Sequence, residues 1–194
     1  MKNLKLSVFA LFSILAITSC SKDEVVAVNT EEVITTIKVV FTPVGNGNPV
    51  TLTYRDLDGE GPLPAIISPS ATFMMNKTYN GEVTILNESV VPAKDITEEI
   101  QTEALDHQLF YQKTGTLSAF NYTPIGIAPS NFDSNGKPVG LKTVFVTTTA
   151  ATGTLRITLR HEGNKSAANV ANGDITNATG ATDFEITFNG LVVQ

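Results

Sequence analysis

Short runs in which apolar and polar residues alternate one by one recur along this chain, and most of them end in clusters of glycine, asparagine or proline. Ile37, Val39 and Phe41 alternate with Lys38, Val40 and Thr42. After Gly45-Asn46-Gly47-Asn48-Pro49, the residues Val50, Leu52 and Tyr54 alternate with Thr51, Thr53 and Arg55. A period of two puts every second side chain on one face, the mark of half-buried antiparallel strands. Two such runs around an Asn-Gly turn predict a hairpin. The pattern returns at Tyr79, Val83 and Ile85, at Leu141 to Val146, at Leu155, Ile157 and Leu159, and at Phe184, Ile186 and Phe188. Each strand has only one apolar face, so two sheets must close on each other, and the expected fold is mainly β, an antiparallel immunoglobulin/fibronectin-III-like β-sandwich with one short helix. Phe73-Met74-Met75-Asn76-Lys77-Thr78-Tyr79 resembles the tyrosine corner of fibronectin type III domains, without its usual proline.

The helix is expected over 95–106. Asp95 is placed to cap it, Glu98 stands three residues later as in a capping box, and Ile96, Ile100 and Ala104 recur every four residues. His107 to Tyr111 then reads as a strand.

The first twenty residues read as an address. Lys2 and Lys5 precede the apolar run Leu6 to Ile17, which is shorter than the ~20 residues a membrane span needs. Ile17-Thr18-Ser19-Cys20 looks like a bacterial lipobox, so Cys20, the only cysteine, is expected to carry lipid. Ser21-Lys22-Asp23-Glu24 resembles the acidic export signal of Bacteroidota surface lipoproteins. The expected organisation is a signal peptide over 1–19, a lipidated cysteine and tether over 20–32, and a sandwich domain over 33–194, a length that suits one domain. The expected location is the outer membrane, facing the cell exterior, with the periplasmic face as the alternative.

Composition narrows the function. Without Lys2 and Lys5, eleven basic residues face 19 acidic ones, which excludes an electrostatic nucleic-acid binder. At 42% hydrophobic and 16% charged the chain is too apolar for disorder. The sequence holds no glycine-rich phosphate loop, no G-x-S-x-G elbow and no H-E-x-x-H. Two histidines and a lipidated cysteine leave little for acid–base or nucleophilic catalysis, so a non-enzymatic protein is expected. With no tryptophan, a sugar-stacking platform would fall to Phe110, Tyr111, Phe120 and Tyr122.

Three groups of residues offer ion chemistry. Glu99, Glu103 and His107 stand four residues apart, so a helix long enough would align them, and His161 lies in phase with a strand's apolar face. Carboxylates and imidazoles in that combination suit zinc, and a solvated acidic helix face gives the same spacing. Asn131-Phe132-Asp133-Ser134-Asn135-Gly136 follows the start of a calcium loop with Asn131 for the first aspartate. Asp56-Leu57-Asp58-Gly59-Glu60-Gly61 is a looser version. Neither has the acidic twelfth residue, since Lys142 and Ile67 stand there, and plain polar turns read the same way.

Several stretches, among them Tyr54 to Gly61, Leu86-Asn87-Glu88-Ser89, Asp95 to Gln108, Asn135 to Leu141 and Gly153 to His161, together resemble an uncharacterised family of small Bacteroidota lipoproteins. Some members carry the label of a type 1 periplasmic binding fold, a large two-lobed α/β architecture that a short β-patterned chain does not provide. The resemblance implies a membrane-anchored location. The expected function is that of a lipid-anchored envelope binding protein, an accessory to nutrient or metal uptake, with an outer-membrane transporter or another surface protein as partner. The alternatives are a structural or adhesive surface protein and a metal-dependent hydrolase using Glu99, Glu103, His107 and His161.

Overall fold

A computed structural model describes residues 32–59, 61–123 and 131–194. The chain divides at Thr30/Glu31, and the sandwich lies in the second unit. The elements in order are β1 (Thr36–Pro43), β2 (Val50–Arg55), β3 (Ile66–Ile67), β4 (Ala71–Phe73), β5 (Lys77–Asn87), β6 (Lys94–Asp95), α1 (Ile96–Thr102), β7 (His107–Lys113), β8 (Phe120–Tyr122), β9 (Lys142–Thr147), β10 (Ala151–His161) and β11 (Ala181–Val193). One sheet runs β3-β2-β1-β5-β9-β8, with β6 also on β5; the other runs β4-β11-β10-β7. Every described pairing is antiparallel except β4 with β11. The protein is thus mainly β, with two sheets sharing one core. Among the described residues, no helix is long and apolar enough to cross a membrane.

The alternating runs do what their period requires. Ile37, Val39 and Phe41 are buried while Lys38 and Thr42 are exposed, and the expected hairpin forms with Phe41 opposite Val50 and Ile37 opposite Tyr54. Leu155, Ile157 and Leu159 meet them from the facing sheet. Phe41, Phe73, Tyr79, Phe120 and Phe145 form an aromatic cluster with centroids 4.2 to 6.5 Å apart, mostly edge to face. Gly81 makes room for it, because a Cβ there would stand 2.8 Å from the Phe41 ring. The Tyr79 hydroxyl accepts from the Met74 N–H at 2.9 Å, the upstream backbone bond expected of a tyrosine corner.

The helix is shorter than the sequence suggests. Asp95 caps it as expected, accepting from Thr97 N–H, and Ile96 and Ile100 are buried. It ends at Thr102 rather than Asp106. Glu103 leaves the helical region at φ −96°, ψ 37°, and the chain turns so that His107 can join the β7–β10 ladder. Ladder pairing over seven residues outweighs one more helical turn, in a segment with no basic residue near the helix C-terminus.

β7 is buried on both faces. Leu109 and Tyr111 point into the inter-sheet core, and Phe110 packs against Val170 and Ala178 from the β10–β11 connection. His107 shares the phase of Leu109 and Tyr111, and His161 that of Leu155 to Leu159, so both histidines end on the core side of their sheet.

Candidate metal centre

His107 and His161 are direct cross-strand partners in the β7–β10 ladder. Their rings stack at 4.5 Å between centroids and 9° between planes. Residues 54 positions apart are thus brought side by side at the end of the core.

Asp183 joins them through a β-bulge. Leu159 pairs with Phe184 but Arg160 pairs with Thr182, which leaves Asp183 as the extra residue in β11. Plain alternation would place Asp183 with outward-facing Glu185. The bulge re-aims it, as bulges do, and buries its side chain to 4% exposure. Its Oδ2 lies 3.6 Å from His107 Nε2, and its Oδ1 3.7 Å from His161 Nδ1.

Glu32 arrives from the other sheet's side, just ahead of β1. The chain there is pinned by Thr35, whose N–H donates to Leu86 O and whose carbonyl accepts from Asp56 N–H. Glu32 Oε1 stands 3.4 Å from His107 Nε2, and its side chain is 10% exposed. Two ligand sets result among the described residues: His107, His161 and Asp183, and Glu32, Glu103 and His107, with ligand atoms within 4.8 Å in each.

Hydrogen bonding orients the central imidazole. His107 Nδ1 faces the Glu103 carbonyl at 3.2 Å, and a carbonyl can only accept. In the neutral ring Nδ1 therefore carries the hydrogen and Nε2 holds a lone pair, aimed between Glu32 and Asp183. Burial disfavours the charged imidazole, but Glu32, the Glu103 carbonyl and Asp183 outweigh it and raise the His107 pKa above its ordinary 6.5. The same contact with His107 lowers that of Glu32 below its ordinary value against the opposing effect of burial.

The sequence reading anticipated Glu103, His107 and His161 in this neighbourhood but not Asp183 or Glu32. Glu99 stands apart: its carboxylate lies 2.6 Å from Lys94 Nζ. Glu103 keeps its i, i+4 relation to His107 through the turn rather than through a helix, with Oε2 3.9 Å from Nδ1.

The calcium-loop residues are otherwise engaged. Asp133 Oδ1 accepts from the N–H groups of Asn135 and Lys137, and its Oδ2 holds the Lys165 ammonium at 3.1 Å. Asn131 donates to Thr123 O and accepts from Lys142 N–H, while Asn135 is exposed. Asp56 accepts from the Tyr54 hydroxyl, and Asp58 from Leu63 N–H. Glu60 and Cys20 lie outside the described residues, as does the lipobox. Of the aromatic residues considered for a sugar platform, Phe110, Tyr111 and Phe120 are buried in packing, and the Tyr122 hydroxyl donates to Leu109 O.

The donor set decides the chemistry. Two imidazoles with carboxylates suit zinc and its neighbours, whereas calcium takes six to eight oxygens. With zinc–nitrogen and zinc–oxygen bonds of about 2.0–2.2 Å, tetrahedral ligand atoms lie about 3.4 Å apart. In the set of His107, His161 and Asp183, the 3.6 Å from Asp183 Oδ2 to His107 Nε2 and the 3.7 Å from Asp183 Oδ1 to His161 Nδ1 are close to that edge length. Comparison with protein-family models, curated proteins and solved structures returned no match.

Proposed function

We propose that this chain is a lipid-anchored protein of the cell envelope whose immunoglobulin-like sandwich binds a divalent transition metal, zinc by its ligand set, as an accessory to metal uptake. The observation that carries the metal reading is the convergence of His107, His161 and Asp183, two of them cross-strand partners and the third aimed by a bulge. Lys2, Lys5, the Leu6–Ile17 run and Ile17-Thr18-Ser19-Cys20 support the anchor at Cys20, and Ser21 to Glu24 supports an outward-facing position. The partner in this reading is an outer-membrane transporter or another surface protein that supplies or receives the ion.

The test is zinc titration of the chelator-stripped full chain in detergent. A ligand present at 100 times its dissociation constant adds about 2.7 kcal/mol to stability. For a domain of this size that is roughly 5–10 °C in melting temperature. His161→Ala removes one ligand at the more accessible ring and should abolish the shift. A wild-type chain whose melting temperature ignores zinc refutes the metal reading. Failure of Cys20→Ser to lose incorporated fatty acid refutes the anchor.

A further inference from the structure

We infer that the cleft between β8 and the β10–β11 connection is a subsite for one neutral pyranose ring, with the Tyr122 ring as its platform and Asn121, Asn172 and Asp174 as the partners of the sugar's hydroxyls.

The cleft has a volume of about 240 Å³. Pockets for drug-sized ligands run from about 300 to 1,000 Å³, so this one suits a single ring of about a dozen heavy atoms rather than a chain of them. Its lining has two characters. Tyr111 and Tyr122 supply an aromatic part, and Asn121, Asn172 and Asp174 a polar part. A pyranose presents the same two characters: a face of C–H bonds that packs on an aromatic ring, and a rim of hydroxyls that both donate and accept.

The aromatic part presents carbon rather than oxygen. The Tyr122 hydroxyl is turned inward, donating to Leu109 O at 2.7 Å and accepting from Gln108 Nε2 at 3.1 Å. Tyr111 meets the Tyr122 ring edge to face at 6.3 Å, and its own hydroxyl donates to Gly140 O. Burial pushes the Tyr122 pKa well up, so this hydroxyl stays neutral and serves to fix the ring. The ring itself is half-buried and forms part of the cleft wall.

Gly173 keeps that wall clear. Its φ of +94° is a left-handed conformation that other residues adopt only under strain, and a Cβ there would stand 3.7 Å from the Tyr122 ring. The polar residues on either side of this glycine, Asn172 and Asp174, line the cleft from the β10–β11 connection, and Asn121 lines it from β8. All three are exposed. An amide donates and accepts while a carboxylate only accepts, a combination that matches hydroxyl groups. Hydrogen bonding to Thr176 lowers the Asp174 pKa, so Asp174 is charged at neutral pH, and among the described residues it is the only charged one in the lining. A lone carboxylate disfavours sugar acids and sugar phosphates, which leaves neutral sugars.

The experiment uses the full chain in a detergent without a sugar headgroup, with a chelator present so that the metal centre plays no part. Amide resonances are followed by nuclear magnetic resonance while methyl glycosides of glucose, galactose and mannose are added singly. At least one should give saturable shifts at 121–122 and 172–174, with a Kd of about 1–10 mM for so small a ligand, and glucuronate should give none. Asn121→Ala and Asn172→Ala, both at exposed positions, should each weaken that binding more than about 3-fold. Asp174→Asn keeps an acceptor for the Thr176 N–H and should admit glucuronate. No saturable shift in wild type with any of the three glycosides overturns the subsite, and it needs no variant to fold. Shifts centred outside the cleft, binding unchanged in both alanine variants, or choline binding more tightly than every glycoside overturn it as well.

Discussion

Replacing Asp133 by asparagine should be among the most destabilising polar substitutions in this protein, and more costly than removing its partner. The Asp133 carboxylate is 1% exposed and the Lys165 ammonium 6%, with 3.1 Å between them. Lys165 also donates to the Ala104 carbonyl, so the pair joins the loop at 131–139, the turn after α1 and the β10–β11 connection. Asp133→Asn keeps an oxygen for the N–H groups of Asn135 and Lys137 but removes the charge, and an ammonium remains in a site whose burial already lowers its pKa. Stranding one member of a buried pair costs about 3–5 kcal/mol. Lys165→Met strands the carboxylate instead, but two backbone N–H groups still hold it and the methionine fills the alkyl path, so about 1–3 kcal/mol is expected. Because each single change leaves a buried charge that the double variant lacks, Asp133→Asn/Lys165→Met should be more stable than additivity allows by about 1–3 kcal/mol. Urea unfolding with an unchanged denaturant slope measures all three. In melting temperature, Asp133→Asn should lose roughly 6–20 °C. An Asp133→Asn cost below 1 kcal/mol, or strict additivity in the double variant, would refute the argument that the pair acts as one buried unit.

The metal-free protein should be most favoured by its Glu32–His107 contact between about pH 4.5 and 6.5. The raised pKa of His107 contributes stability that is complete below its ordinary 6.5 and lost as pH rises through the folded value; the lowered pKa of Glu32 contributes stability that is complete above its ordinary 4.5 and lost as pH falls through the folded value. Glu103, Asp183, His161 and Lys94 surround the pair, so the control is Glu32→Gln, whose melting temperature against pH should flatten at both edges of that window; an unchanged profile sinks the assignment. Separately, Tyr79→Phe should cost about 1–3 kcal/mol in chemical denaturation, because it leaves the part-buried Met74 N–H without its acceptor while keeping the ring in the aromatic cluster; a change within 0.5 kcal/mol would mean that the corner bond holds nothing in place.

The contrast between what was legible in the sequence and what was not follows from the range of the interactions. Alternation is a local property, so Ile37 to Phe41 and Leu155 to Leu159 announced their buried faces, and Asp95 its helix cap. The end of α1 was misjudged because the Ile96–Ile100–Ala104 period continues past Thr102, and only the pairing of β7 with β10, from a strand more than forty residues on, stops it. The candidate site lies further still from local reasoning. Glu103 and His107 meet through a turn that keeps the helical spacing, which is why the sequence could suggest them as a pair. His161 needs the ladder register, since a slip of one residue would turn it to the other face. Glu32 needs the packing of one sheet on another. Asp183 is the hardest case, because the period that identifies Phe184, Ile186 and Phe188 as buried assigns Asp183 to the outside with Glu185. The single extra residue between the Leu159 and Arg160 pairings reverses that assignment. A bulge interrupts the hydrogen-bond ladder and bends its strand, and it persists in a well-paired hairpin where re-aiming a side chain repays the loss. Here it turns a carboxylate toward two stacked imidazoles, so the departure from alternation is what assembles the candidate site.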